Sequence, residues 1–178
     1  MSEDDFWEII ESSGSPDSCS PDEQCENIIE RLTGEPKEVL VAFANIHIEL
    51  LCKGYTWRML KASFVLISFI SDDVFEDFRN WVILQGKKRF YETLKDPDSI
   101  TNYINVEDPV EEVTGEGLLF VCEESWAGDI EELEQNYVYF DDPDIDDEWP
   151  SEIKLQQEFP KLFNQFWDEE NIRTLNKS

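Results

Sequence analysis

The segment Ser71-Asp72-Asp73-Val74-Phe75-Glu76-Asp77-Phe78-Arg79-Asn80-Trp81-Val82-Ile83-Leu84-Gln85-Gly86 reads as a helix from its first residue to its last. A serine followed by two carboxylates is a start signal. The hydroxyl oxygen accepts a free backbone N–H, and negative charge is favourable at the positive end of the helix dipole. Val74, Phe75, Phe78, Trp81 and Val82 then recur at helical spacing as an inward stripe. At about 100° per residue, Asp72, Glu76 and Arg79 share one line, with Asp73, Asp77 and Asn80 on the adjacent one, opposite the stripe.

Helical punctuation continues on both sides. Upstream, Thr56 to Ile70 is apolar almost all round, the pattern expected of a central buried helix. Before it, Val39, Leu40, Phe43, Ile46, Leu50 and Leu51 repeat at three and four between Pro36 and Gly54. Ser20-Pro21-Asp22-Glu23 supplies an N-cap serine, a proline at the first helical position and a glutamate placed to close a capping box. Phe6, Ile9 and Ile10 mark a short opening helix. Downstream, a helix covers about Lys88 to Leu94, and Asp96-Pro97-Asp98 opens another.

Beyond Lys95 the composition changes. Between Asp96 and Ile153 there is no Lys or Arg, while Asp and Glu are frequent. Leu118 to Cys122 is too short for its period to decide between helix and strand, and Tyr137 to Phe140 is the best strand candidate. Ser151 to Trp167 returns to helical spacing, with Pro160 as a kink or break. The expected architecture is mainly α: a compact multi-helix single domain over residues 1–178, with at most a minor β element in its acidic C-terminal third. Residues 4–104 form the helical core, 105–150 an acidic, loop-rich segment, and 151–170 a C-terminal helix packing back on that core.

The charge bounds the function. Fourteen Lys and Arg against 42 Asp and Glu leave a net charge of −28. Twelve Phe and six Trp are far too many for a disordered acidic tail, so the carboxylates clothe a real core. Such a field repels nucleic acid and anionic lipid, whose recognition needs basic patches, and suits a cationic partner. The opening Met1-Ser2-Glu3-Asp4-Asp5 has no basic or apolar signal region, and no apolar run approaches bilayer length. Cys19, Cys25, Cys52 and Cys122 form no C-x-x-C pair. A cytoplasmic protein with no membrane association is expected.

The string Ser71-Asp72-Asp73-x-Phe75-x-x-Phe78-Arg79-x-Trp81 resembles a bacterial family known as domain of unknown function 4240. Trp57, Gln85-Gly86, Tyr91, Leu94 and Asp96-Pro97-Asp98 support the likeness, as does the opening Phe6-Trp7-x-Ile9-Ile10-Glu11. It covers roughly Asp4 to Tyr103, and more weakly the C-terminal third, where Phe159-Pro160-Lys161-Leu162-Phe163 is similar to the closing segment. The resemblance implies a helical fold and little chemistry. Members often carry Gly-Gly just before the Ser-Asp-Asp, where this chain has Ser68-Phe69-Ile70; they tend to have Gly then Arg where Leu84 and Lys87 stand.

Candidate sites follow from these patterns. Asp72, Asp73, Glu76 and Arg79 form a set usable for acid–base work or a ligand; the same residues also suit a helix N-terminus with an intrahelical or interhelical ion pair. His47, the single histidine, sits at the margin of an apolar seam, so zinc or nucleophile chemistry would rest on it alone. Asp142-x-Asp144-x-Asp146 starts like a calcium loop, but Asp147 stands where glycine is needed and Ile153 where glutamate is needed. No metal or cofactor is expected. Lys87-Lys88-Arg89 is the one basic cluster and matches a helix C-terminus.

The acidic third is the strongest lead. Asp141, Asp142, Asp144, Asp146, Asp147 and Glu148 supply charge, and Tyr139 and Trp149 supply aromatic area, the mixture that steers and anchors a basic protein. The expected function is non-enzymatic protein binding, of the kind an immunity protein or antitoxin performs by electrostatic mimicry. The alternative is an enzyme or a metal or ligand binder built on Asp72, Asp73, Glu76 and Arg79.

Overall fold

The computed structural model describes residues 1–14, 17–140 and 149–168. Its elements are α1 (Glu3–Ser12), α2 (Pro21–Leu32), α3 (Lys37–Gly54), α4 (Trp57–Ile67), α5 (Asp72–Leu84) and α6 (Lys87–Lys95), then a 3-10 helix (Pro97–Asn102). The short helices α7 (Pro109–Glu112), α8 (Gly117–Glu124) and α9 (Glu131–Glu134) follow, and α10 (Glu152–Glu158) and α11 (Pro160–Phe166) close the described chain. The fold is mainly α. There is no strand among the described residues.

The serine caps form as their chemistry dictates, although at α2 only the Ser20 half of the expected capping box is made. Ser71 Oγ accepts the Val74 N–H at 3.3 Å, and Ser20 Oγ accepts that of Glu23 at 3.2 Å. The reciprocal capping box forms at α1, where the Asp5 N–H donates to Ser2 Oγ and the Ser2 N–H to Asp5 Oδ2.

One apolar cluster runs through the molecule, from Phe6 and Trp7 through Phe43, Phe75, Phe78 and Phe90 to Leu118, Leu133, Phe159 and Leu162. The central element is α5, which contacts α2, α3, α4 and α6. Every residue from Phe78 to Gly86 is buried. This corrects two expectations. On α4, the apolar-looking helix, Arg58 is exposed and Trp57, Leu60 and Phe64 are only half-buried. Asn80, expected on a polar face, is fully enclosed: its Oδ1 is bonded inside the core, while its Nδ2 has no hydrogen-bond partner there.

The acidic third folds as short helices. Leu118 to Cys122 lies within α8, which packs on α2 and α3, and Cys122 Sγ donates to the Leu40 carbonyl at 3.5 Å. Tyr137 to Phe140, expected as a strand, is irregular: its N–H and C=O groups have no neighbouring strand to pair with, and Asn45 of α3 holds it instead. Asn45 Nδ2 donates to the Asn136 carbonyl at 3.2 Å, and Asn45 Oδ1 accepts the Val138 N–H at 2.8 Å.

At the C-terminal side the helical pattern breaks at Pro160, between α10 and α11. Both contact one another, and α11 lies on α4 and the 3-10 helix. The buried Asp98 carboxylate caps α11, accepting the N–H groups of Lys161 at 3.0 Å and Leu162 at 2.8 Å. Lys61 and Arg58 of α4 both pair with Glu158.

Candidate functional site

Three helices and the irregular segment after α9 surround a concavity where the acidic third meets the helical core. It has a volume of about 360 Å³ and lies between α3, α5, α8 and residues 137–140. Ile48, Leu118 and Leu119 form much of its apolar wall, while Phe120, Tyr139 and Phe140 stand at 42%, 78% and 50% exposure. Three large aromatic surfaces left in water around one groove form a patch of the kind that marks a binding surface. Glu76 and Glu123 lie among the lining residues.

The structure divides the family motif. Glu76 and Arg79 line the groove; Asp72 and Asp73 are exposed in the first turn of α5, below the capping serine. The four side chains of the expected set do not converge. Arg79 is buried, its guanidinium 4.6 Å from the centre of the Tyr55 ring and 4.8 Å from that of Phe75. Its Nη1 donates to the Leu51 carbonyl at 3.0 Å and its Nε to the Phe75 carbonyl at 3.3 Å. Stacking between two rings while binding backbone carbonyls is what a planar guanidinium does well, and it locks α3 to α5.

His47 also borders the groove from within the core. Its Nε2 lies 2.6 Å from Asn80 Oδ1, and burial pushes the imidazole down to about 4, with the Arg79 charge adding to the shift. The ring is therefore neutral at physiological pH, its Nε2–H donating to the amide oxygen. Cys122, another lining residue, is driven up to about 12 by burial, which leaves its thiol protonated and inert. Among the described residues no three His, Cys, Asp or Glu side chains are grouped to hold a metal ion.

Further carboxylates act on those near the groove. Asp77 is raised to about 6 by partial burial and by Glu116, Glu76 and Asp73 around it. Glu123 is raised by burial and by the charges of Glu134 and Glu124. Burial is the larger cause of both shifts, and like charges held nearby add to it by lifting one another's proton affinity.

Of the acidic-aromatic set expected to bind a partner, Asp141, Asp142, Asp144, Asp146, Asp147 and Glu148 lie outside the described residues. Tyr139 is the most exposed of the large apolar side chains. Trp149 is half-held: its ring meets Trp57 and Phe64 edge-on, with centroids 5.1 and 4.9 Å away. Phe120 and Asn45 were not singled out by the sequence. An aromatic inside Leu118 to Cys122 reads as core until the helix phase is known, and Asn45 gains its role from residues about ninety positions away.

Lys87-Lys88-Arg89 occupies the first turn of α6 rather than a helix C-terminus. The short Gln85-Gly86 link places it against the N-terminal region: Lys87 pairs with Asp4 at 2.5 Å and Arg89 with Asp17 at 3.4 Å. A second concavity, of about 460 Å³, has Trp81, Gln85 and Tyr103 on its walls with Asp22, Glu111 and Glu112.

These features define an all-α domain with an aromatic core and an acidic, aromatic-edged groove. Over residues 1–127 the chain matches the model of the family described as Protein of unknown function (DUF4240), and it belongs to that family. The matched region takes in the groove residues on α3, α5 and α8; residues 137–140 and the segment Phe159 to Phe163 lie beyond it. No curated protein and no solved structure matches the chain. Among the described residues no helix is long and apolar enough to cross a membrane.

Proposed function

We propose that this chain is a non-enzymatic protein-binding domain whose acidic third engages a basic protein. The observation that carries the reading is a lack of internal compensation. The seven ion pairs of the described residues use Glu3, Asp4, Asp17, Glu92, Asp96 and Glu158, and none uses a carboxylate between Glu107 and Glu134. Charge left unpaired within the fold stays available to a partner, and it speeds encounter with a cationic surface.

The most concrete form of this function is neutralisation of a basic toxin, as by an immunity protein or antitoxin. A nucleic-acid-directed toxin needs a cationic cleft for phosphates, and a carboxylate-covered domain fits such a cleft as a phosphate mimic. Nucleic acid itself is not a partner in this reading. A cytoplasmic location suits it.

A pull-down from the source cell with the full chain, in roughly 50 mM and roughly 500 mM salt, tests the proposal. A basic protein retained at low salt and released at high salt is the expected result. Recovery of no basic partner at low salt overturns it. The second reading, a ligand binder, draws on Glu76 and Arg79 lining one groove; thermal stabilisation by a small molecule, abolished in Glu76→Gln, is its test.

A further inference from the structure

We infer that the groove between α3, α5, α8 and residues 137–140 is the docking site for a basic amphipathic segment of the partner, whose apolar side chains enter between Phe120, Tyr139 and Phe140 while its Lys and Arg side chains meet Glu76 and Glu123. This deepens the proposed function and rests on it. The occupant follows from two features that coincide in space. The wall is apolar and keeps three aromatic rings in water. The groove's two carboxylates, Glu76 and Glu123, have further acids around them: Glu134 and Glu124 act on Glu123, and Glu76 acts with Glu116 and Asp73 on Asp77. An uncharged apolar segment leaves those carboxylates unpaired, and a purely cationic one leaves the rings wet. A segment with one apolar and one basic face satisfies both, as in the helix-in-groove mode of recognition.

The anchoring of the groove favours a preformed site. Asn45 fixes the 136–138 backbone from α3, and the Arg79 stack fixes α5 against α3. A rigid wall saves the ordering entropy that a loose loop loses on binding.

The test uses the full chain and two synthetic helical peptides of about 18 residues and equal positive charge. One carries Leu at positions i, i+3, i+4 and i+7 with Lys elsewhere; the other has Ser in place of each Leu. Affinities are measured by calorimetry at low salt for the native chain and for the double variant Phe120→Ser with Tyr139→Ser. Both replaced side chains are exposed, and circular dichroism checks that the fold is retained.

The expected result is binding of the Leu/Lys peptide at least about tenfold tighter than the Ser/Lys peptide, a difference the double variant erases while leaving the Ser/Lys affinity unchanged. Equal binding of the two peptides overturns the groove assignment and spares the acidic-partner reading. So does a Leu preference that survives in the double variant. If neither peptide binds, the acidic-partner reading falls, and the groove with it.

Discussion

His47 donates its Nε2–H to Asn80 Oδ1 across 2.6 Å, a buried bond that ties α3 to α5, and the burial around it keeps the imidazole neutral. The folded histidine titrates near 4, below its ordinary 6.5. The unfolded chain therefore takes up this proton first. The associated stability is complete above pH 6.5 and is lost as pH falls towards 4, by about 3 kcal/mol. His47→Gln keeps a donor for Asn80 and removes the titration. Urea unfolding at a series of pH values should give a flatter profile over that window for the variant; identical slopes would disprove the assignment.

Asp77 acts with the opposite sign. Its folded value is raised to about 6 from an ordinary 3.8, so the fold favours the neutral acid and gains stability as pH falls from 6 towards 4. Because the side chain is partly in water, screening limits the effect to under about 1 kcal/mol. Asp77→Asn should raise the unfolding midpoint at pH 7.5 and leave it unchanged at pH 4.

A broader version of the same repulsion predicts a salt response. With a net charge of −28, the compact state works against its own field. Raising sodium chloride from about 0.05 to about 0.5 M should increase the thermal midpoint by a few degrees, because the Debye length shrinks from roughly 14 to roughly 4 Å. A midpoint that falls with salt would mean that the surface ion pairs outweigh the surplus carboxylates.

Two backbone positions should respond in opposite directions. Ser68 ends α4 at φ 62°, the only non-glycine residue with positive φ among those described. Ser68→Gly should stabilise the fold by about 0.5–1 kcal/mol. Gly115 has no such freedom: a Cβ there would come within 2.4 Å of the Trp81 backbone nitrogen and 2.6 Å of the Asn80 carbonyl carbon. Gly115→Ala should cost about 1–3 kcal/mol by forcing the chain away from α5. Chemical denaturation of both variants checks the pair.

Asn45→Ala should detach residues 136–140 from α3 without unfolding the helices. Two hydrogen bonds are lost, about 1–3 kcal/mol locally. Amide exchange should accelerate at Val138 and remain slow in α5.

The elements from α1 to α5 were legible in the sequence because they carry start signals, as at Ser20-Pro21 and Ser71, and stripes that show their period; α6, which opens on Lys87-Lys88-Arg89 with no side-chain cap, was legible only in outline. The family string located the helix that proved central. What periodicity could not reveal was that α5 is enclosed from Phe78 onward: Asn80 and Arg79 read as surface residues until α3 brings His47 to the Asn80 amide oxygen and the Leu51 carbonyl to Arg79. The acidic third was legible as charge but not as shape. The single turn of α9 owes its form to contacts with the rest of the molecule through its buried Leu133, while α7 buries no side chain and is held by its Asp108 cap. The groove joins α3 to residues about ninety positions away, and no local pattern encodes that meeting.

Asp98 carries a consequence for biosynthesis. Its carboxylate is buried only because the N–H groups of Lys161 and Leu162 complete its coordination from 63 and 64 residues downstream. On the ribosome, the chain up to the 3-10 helix emerges long before those donors do. Until then an ionised carboxylate held inside would be uncompensated, so this corner of the nascent domain stays hydrated and open. Closure of this corner waits for α11, whose docking supplies the two donors that let Asp98 be buried.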